Sequence, residues 1–295
     1  MLTVSIIGVG RVGGAFALAL PADRYTIEVL IVKPGQNIDH LATIAPHLPT
    51  PISLPEIAEI STDLVLITVA DPQIPGVAAE LAPKLRGVTT TLHTSGSLPS
   101  SILRDLRSGG RTVGSVHPLV SIASPEAGRE RFAGSYFCVE GDAAAVILGE
   151  RIAHDLGATP FAIESDFKTL YHAAAVTACG HMVALFDAAV EMMMACGLPK
   201  ERSAEILLPL VQSTVRNLEK EPVSSALTGT FARADSETFT RHLTALNALG
   251  ADDLLEIYLL LGERSLELAA AQGINEERIE SLRTKVAIAK TKLKW

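Results

Sequence analysis

Thr3-Val4-Ser5-Ile6-Ile7-Gly8-Val9-Gly10-Arg11-Val12-Gly13-Gly14-Ala15-Phe16-Ala17-Leu18-Ala19-Leu20 decides the fold. A β-branched run of strand length ends on glycine, and a small-residue helix opens directly behind it. Gly8-Val9-Gly10-Arg11-Val12-Gly13 is a GxGxxG turn placed between a strand and a helix, the context that a dinucleotide pyrophosphate requires. Gly8 permits the tight turn, Gly10 removes a side chain where a phosphate approaches, and Gly13 lets the helix lie close to the sheet. The helix N-terminus adds unpaired N–H groups and a partial positive charge. The competing reading is a plain glycine-rich βα turn.

Working outward, the first half alternates strands and helices, the signature of βαβ units and a parallel sheet. Strands are expected at residues 3–7, 26–32, 64–69, 88–93, 112–117, 136–139 and 159–163. Helices are expected at 11–20, 74–85, 97–107 and 142–156. After Glu164 the strand signals stop. Apolar residues recur at three and four from 166 to 196, Gly197-Leu198-Pro199 stops that helix, and further helices follow at 201–218, 236–249, 251–272 and 275–294. The fold class is therefore α/β: a Rossmann-like parallel-sheet domain, 1–164, followed by an all-α domain, 165–295.

Composition sets outer limits. The 295 residues suit one large or two ordinary domains, and 48% hydrophobic against 20% charged residues excludes disorder. A net charge of −8 speaks against nucleic acid, whose phosphates need a basic face. Cys138, Cys179 and Cys196 form no CxxC pair, so neither a disulfide framework nor a metal site is expected. The apolar stretch 173–186 contains His181 and is followed by Asp187, which reads as a buried helix and not a membrane span. No basic leader precedes the first strand, and the cytoplasm is the expected location. Residues 253–268 are apolar on more than one face, so the helical domain is expected to form a homodimer. Lys285, Lys290, Lys292 and Lys294 read as charge complementing a helix C-terminus.

The second strand ends Leu30-Ile31-Val32-Lys33, without the acid that usually holds the ribose hydroxyls. A lysine there suits a 2′-phosphate, so the expected cofactor is NADP(H), with NAD(H) second. Lys33 also reads as a solvated strand end. Arg11 faces the pyrophosphate, the 2′-phosphate or solvent. Ligands in open parallel sheets sit beyond the strand C-termini, which here deliver Val69-Ala70-Asp71, His93-Thr94-Ser95-Gly96 and His117-Pro118. The cofactor set is thus Gly8, Gly10, Arg11, Val12, Gly13, Lys33, Val69, Ala70, Asp71 and Ser95. Asp71 reads equally as the cap of its own helix, because Pro72 follows. On the long helix Lys168 and His172 share a face, while Tyr171, Cys179 and His181 fall on other faces or further along. His172 is the expected proton donor, with Lys168 or His117 orienting substrate. Ser95, His117 and Arg233 are the expected substrate contacts, Arg233 through a carboxylate.

Five segments carry a family resemblance: His93-Thr94-Ser95-Gly96, Val116-His117-Pro118-Leu119, Leu170-Tyr171-His172-Ala173-Ala174-Ala175, Ala226-Leu227-Thr228-Gly229 and Arg241-His242-Leu243. In this order they resemble the bacterial oxidoreductases that join a Rossmann-like domain to domain-of-unknown-function 2520. The plan is similar to pyrroline-5-carboxylate reductase, ketopantoate reductase and the 3-hydroxyacid dehydrogenases. That resemblance implies NADP(H), an all-helical second domain of the 6-phosphogluconate dehydrogenase C-terminal type, dimerisation through it, and catalytic polar groups on the long helix, where Lys168 and His172 stand. The chain departs from the pattern at Gly180, where asparagine is usual, at Gly229-Thr230 for Gly-Pro, and at Arg233-Ala234-Asp235 for Arg-Gly-Asp. Two functions follow: hydride transfer to or from a small polar carbonyl, imine or hydroxy acid, or a catalytically silent NADP(H)-binding sensor or assembly protein.

Overall fold

Buried β-branched and leucine runs form the strands, and each is cut by glycine, proline or a polar turn. The computed structural model describes residues 1–291, which fall into two compact units, Met1–Ala178 and a second beginning at Cys179.

In the first unit β1 (Leu2–Ile7) leads to α1 (Arg11–Ala19), β2 (Tyr25–Val32), α2 (Asp39–Ile44), β3 (Ile52–Ser53), β4 (Leu64–Ile67), α3 (Ile74–Leu81), β5 (Thr90–His93), β6 (Thr112–Pro118), α4 (Pro125–Phe132), β7 (Tyr136–Gly141), α5 (Ala143–Asp155), β8 (Thr159–Ala162) and α6 (Lys168–Ala195). The eight strands form one sheet in the order β3-β2-β1-β4-β5-β6-β7-β8. All neighbouring pairs are parallel except β6 and β7. The sheet is thus parallel-dominated, as expected, with that one antiparallel pair. Segment 119–135 holds only α4, and the Leu119 N–H already bonds the Tyr136 carbonyl at 2.9 Å, so the chain re-enters at the end it has just left.

Small residues set the spacing of the layer on one face. A Cβ on Gly14 would stand 2.8 Å from Pro125, and one on Gly128 would stand 2.7 Å from Ala15, so α1 and α4 meet nearly backbone to backbone. Phe16, Phe132 and Phe137 fill the space beneath, with Phe16 and Phe132 ring centroids 5.1 Å apart. The other face buries Ile7, Ile67, Ile74, Leu81, Leu103 and Leu106.

Two short elements, α2 and β3, and the helix α4 lack an apolar period and were not expected. The α4 start is nonetheless marked by Ser124, whose Oγ accepts the Ala127 N–H at 3.2 Å. The helix expected at 97–107 is instead a 3-10 helix, Ser100–Leu106. Its first N–H is given to Glu140 at 2.7 Å.

The second unit takes the rest of α6 and then α7 (Lys200–Lys220), α8 (Val223–Ala226), α9 (Gly229–Ala232), α10 (Ser236–Leu249), α11 (Asp252–Ala271) and α12 (Glu276–Lys290). Its core joins Phe239, Leu259, Leu266, Leu282 and Val286. Asp235 and Asn275 cap α10 and α12, and Gly250 ends α10 at φ +73°. Ala234 takes φ +46°. Lys290 pairs with Glu263 at 2.7 Å and Lys285 reaches Ser236, so these two brace neighbouring helices; Lys292 and Lys294 lie outside the described residues.

The long helix is not buried as expected. Val176, Met182, Val183 and Leu185 are exposed in the single chain, because apolar composition demands cover without saying where it comes from. By length and composition Ser165–Ala195 is long and apolar enough to cross a membrane.

Replacing Phe16, fully sealed between Phe132 and Phe137, with alanine is expected to cost about 3–5 kcal/mol. Urea unfolding of the variant measures it.

Candidate functional site

The glycine turn is built from contacts that no larger residue permits. Gly8 holds φ +96°, and a Cβ there would meet Val69 at 2.6 Å. A Cβ on Gly13 would stand 2.3 Å from the Gly8 carbonyl oxygen. Thr68 at the end of β4 donates its hydroxyl to that same oxygen at 2.7 Å, which pins the turn to the neighbouring strand. The Cβ position of Gly10, by contrast, faces open space. Beside it lies a cavity of about 500 Å³ that reaches from Gly8 and Gly10 past Val69 and Ala70 to Lys33. Gln36 closes one wall by donating to the Val9 carbonyl at 2.9 Å. Lys33 and Arg11 are both exposed, and Arg11 reaches the Ile122 carbonyl at 3.4 Å. Val12 is half-buried against the α1 side of the sheet.

The ends of β4 and β5 are tied together. The Asp71 carboxylate accepts hydroxyl hydrogen bonds from Ser95 at 2.8 Å and Ser97 at 2.7 Å. The Ser95 oxygen in turn accepts the N–H groups of Ser97 and Leu98. Asp71 is thus not the cap of its own turn, whose N-cap is Ala70; its carboxylate instead ties the loop after β4 to the loop after β5.

Strands β5 and β6 and the first turns of α6 then bring together a cluster of titratable side chains. His117 Nδ1 and the Tyr171 hydroxyl are 2.7 Å apart. The His117 and His172 rings lie 6.1 Å apart, centroid to centroid. Both press on Gly96, where a Cβ would stand 2.5 Å from His172 Cδ2 and 2.9 Å from His117 Nε2. Lys168 is sealed from solvent and gives one N–H to Ser115 at 2.7 Å.

Below this cluster runs a polar row across the sheet. His93, Ser115 and Glu140 are register partners on β5, β6 and β7. Burial alone would push the Glu140 carboxyl up. The hydroxyls of Ser165 and Ser100, the Lys168 ammonium and the Ser100 N–H outweigh it and hold the group below its ordinary value. Burial pushes Lys168 down from its usual value, against the opposing pull of Cys138, Glu140 and Asp71. His93 is pushed down to about 4, by burial first and Lys168 second, with Glu140, the Pro99 backbone and Asp71 opposing. His117 falls to about 3, by burial and then by Lys168 and His172. His93 Nδ1 accepts the Ser95 N–H at 3.2 Å, and its Nε2 is sealed without a partner.

Of the residues expected from sequence, Gly8, Gly10, Lys33, Val69 and Ala70 surround one cavity, while Gly13 packs behind it against the Gly8 carbonyl and Thr68. Asp71, Ser95, His117, Lys168 and His172 meet at the neighbouring strand ends. Arg233 is exposed in the second unit, at the C-terminus of α9. Tyr171 is corrected: it does not point elsewhere but bonds His117. A tyrosine next to His172 in sequence is long enough to reach the same place. His93 and Glu140 were missed as site residues, although His93 ends a strand that the sequence shows. Thr68 and Gln36, which shape the glycine turn, gave no sequence signal of their own.

A parallel-dominated sheet with a glycine-rich first βα turn and a helical region behind it defines a Rossmann-like chain of two parts. Residues 1–118 match the Rossmann-like domain and residues 135–265 match the domain of unknown function DUF2520. The chain therefore carries these two domains in one polypeptide. Its fold is similar to that of protein TM1727 from Thermotoga maritima, at 24% identity, with 91% of this chain and 99% of that one covered and a TM-score of 0.72. A Bacteroides fragilis protein provisionally assigned as an NADP oxidoreductase aligns at 20% identity over 90% and 97% of the two chains, with a TM-score of 0.70. The 1-pyrroline-5-carboxylate reductase of Streptococcus pyogenes aligns at 16% identity over 96% and 98%, with a TM-score of 0.57. No curated protein matches the chain.

The depressed histidines tie stability to pH. Folded His93 and His117 stay neutral where the unfolded chain, with ordinary values near 6.5, takes up protons. Stability is therefore complete above about pH 6.5 and is lost as pH falls toward 4 and then 3. For His93 the displacement from 6.5 to about 4 corresponds to about 3 kcal/mol. Glu140, held below its ordinary value, adds a loss of the same sign at lower pH. The melting temperature should fall from about pH 6.5 downward, and less steeply in His93→Asn. A flat profile between pH 7 and 5 contradicts the sealed, neutral His93.

Proposed function

We propose that the protein is an NADP(H)-dependent oxidoreductase of the cytoplasm that transfers hydride between nicotinamide and a small polar carbonyl, imine or hydroxy acid. The observation that carries this reading is one unit holding both an open glycine cradle and a histidine cluster at adjacent strand ends.

The residues fit a dinucleotide. Gly10 leaves space where a phosphate would approach, while Gly8 and Gly13 admit no side chain at all. Gly8, Gly10, Arg11, Val12 and Gly13 would hold the pyrophosphate. No acid ends β2, and Lys33 on the cavity wall favours a 2′-phosphate. Val69, Ala70, Asp71 and Ser95 would line the remaining path. A Plasmodium falciparum pyrroline carboxylate reductase of similar fold has NADP bound, at 14% identity. A semialdehyde dehydrogenase NAD-binding protein of Cupriavidus necator has NAD, at 19% identity; the preference for NADP(H) rests on Lys33.

When bound, the nicotinamide supplies or accepts the hydride. His172 gives a proton to the substrate oxygen or nitrogen in reduction and takes it back in oxidation. His117 orients the substrate, and sealed Lys168 acts on it through its field, because its ammonium is committed to Ser115. Arg233 is the carboxylate contact of this reading; among the described residues it forms no ion pair.

The exposed apolar side chains of α6 and α7, among them Met182, Val183, Leu208 and Leu210, are assigned to a second copy of the chain. A bilayer fits less well, since the first turns of α6 carry Lys168 and Tyr171 under the sheet.

Fluorescence titration should show saturation with NADPH and much weaker binding of NADH. Binding of neither removes the oxidoreductase reading. His172→Gln should keep NADPH affinity and lose about 10²–10⁴ in turnover; unchanged turnover excludes it as the proton donor. Tight NADPH binding without turnover of any carbonyl, imine or hydroxy acid favours the silent sensor. Light scattering should give a dimer mass that Val183→Asp reduces to a monomer. A monomeric wild-type protein overturns the second-copy assignment.

A further inference from the structure

We propose that Tyr171 is a positioning residue that fixes His117 as a one-sided hydrogen-bond donor, giving its O–H to Nδ1 so that the ring proton stays on Nε2. The inference rests on the reading above, in which these strand ends carry the chemistry, and it adds a division of labour between the two histidines.

The geometry leaves few alternatives. His117 Nδ1 and Tyr171 Oη stand 2.7 Å apart, and the rings meet edge to face at 83°. A neutral imidazole nitrogen is a better acceptor than a phenol oxygen, so the hydroxyl donates. Cys138 lies across the strand pair from His117 and beside the phenol. Burial pushes its thiol up, and a thiol is too weak a donor or acceptor to compete for the bond. Burial also raises the phenol's pKa, so Tyr171 keeps its proton.

The other ring nitrogen is left free for a ligand. Nε2 forms no hydrogen bond to any of the described residues. Among the described residues, however, the sealed unpartnered side-chain atoms are Thr91 Oγ1 and His93 Nε2. His117 Nε2 therefore keeps an open side next to Gly96, where the His172 ring also arrives. Which nitrogen of a histidine carries the proton is set by the bond that the other makes, and here that bond comes from α6.

This arrangement also separates two tasks. His117 is surrounded by Lys168, Tyr171 and His172 of α6, by His93 of β5, Cys138 of β7 and Asp71 at the end of β4. Burial and the neighbouring Lys168 and His172 keep it neutral through the physiological range, against the opposing pull of Asp71. A neutral ring with its proton on Nε2 can hold a substrate oxygen or imine nitrogen in place without releasing that proton. His172 supplies the transferred proton, and Tyr171 touches neither partner.

Nitrogen-15 NMR of the full-length protein, with His117 assigned by loss of its signals in His117→Asn, reads the tautomer directly. At pH 7 the wild type should show a single Nε2–H form. Tyr171→Phe should release it to a mixture of tautomers and lower turnover about tenfold or more, with NADPH affinity unchanged. An Nδ1–H form or exchanging tautomers in the wild type, or a Tyr171→Phe protein with the Nε2–H form intact, overturns the proposal. A tautomer that locks and releases as expected in a protein without turnover upholds the Tyr171 assignment and removes the reductase reading instead.

Discussion

An ammonium group sealed from water has to be compensated by dipoles and opposite charge, or it deprotonates or drags its helix outward. Lys168 has no exposed surface, and the first unit is arranged around that fact. The Ser115 hydroxyl oxygen accepts a hydrogen bond from Lys168 at 2.7 Å. Glu140, register partner of Ser115 on the next strand, supplies the balancing charge without direct contact. Glu140 is satisfied in its turn by the Ser100 hydroxyl and N–H and by the Ser165 hydroxyl. That last set starts the 3-10 helix and holds the segment leading into α6. The chain of dependence closes on itself, since α6 brings Lys168, Tyr171 and His172 to the strand ends together.

Much of this was legible in the sequence. The glycine turn reads correctly because its requirements are local: a positive φ at Gly8 and no room for a Cβ at Gly13. Polar residues at strand ends are also visible, since Asp71, Ser95 and His117 each follow an apolar run. What the sequence withheld depends on distant partners. The antiparallel direction of β7 leaves no trace in a pattern of period two, so Glu140 could not be placed beside Ser115. Tyr171 stands three residues after Lys168, only about 60° around the helix, so the two are neighbours on one face and the expectation of separate faces was a misreading of the spacing. Apolar composition in α6 raises the expectation of burial, yet in the single chain Val176, Met182, Val183 and Leu185 stay exposed.

The two loops beyond β4 and β5 show how hydroxyls can tie neighbouring strand ends together. Ser95 spends its hydrogen bonds on Asp71, Ser97 and Leu98. The result is a short, stiff passage between the glycine turn and Gly96. Because Gly96 has no side chain, two imidazoles reach a single backbone point from different elements. Any residue with a Cβ there would separate them.

The buried polar row has a further consequence, in reorganisation. Dipoles aimed at a reacting centre in water must turn as charge moves, and that turning is part of the barrier. His93, Ser115, Glu140 and Lys168 are packed together inside the folded unit, where Ser100 and Ser165 hold Glu140 and Ser115 holds Lys168 by hydrogen bonds. The cost of holding them so is met when the chain folds, as lower stability than an apolar row of similar volume would give. Selection for a more rugged protein would therefore tend to erase the row first, replacing a preset field with leucine and valine.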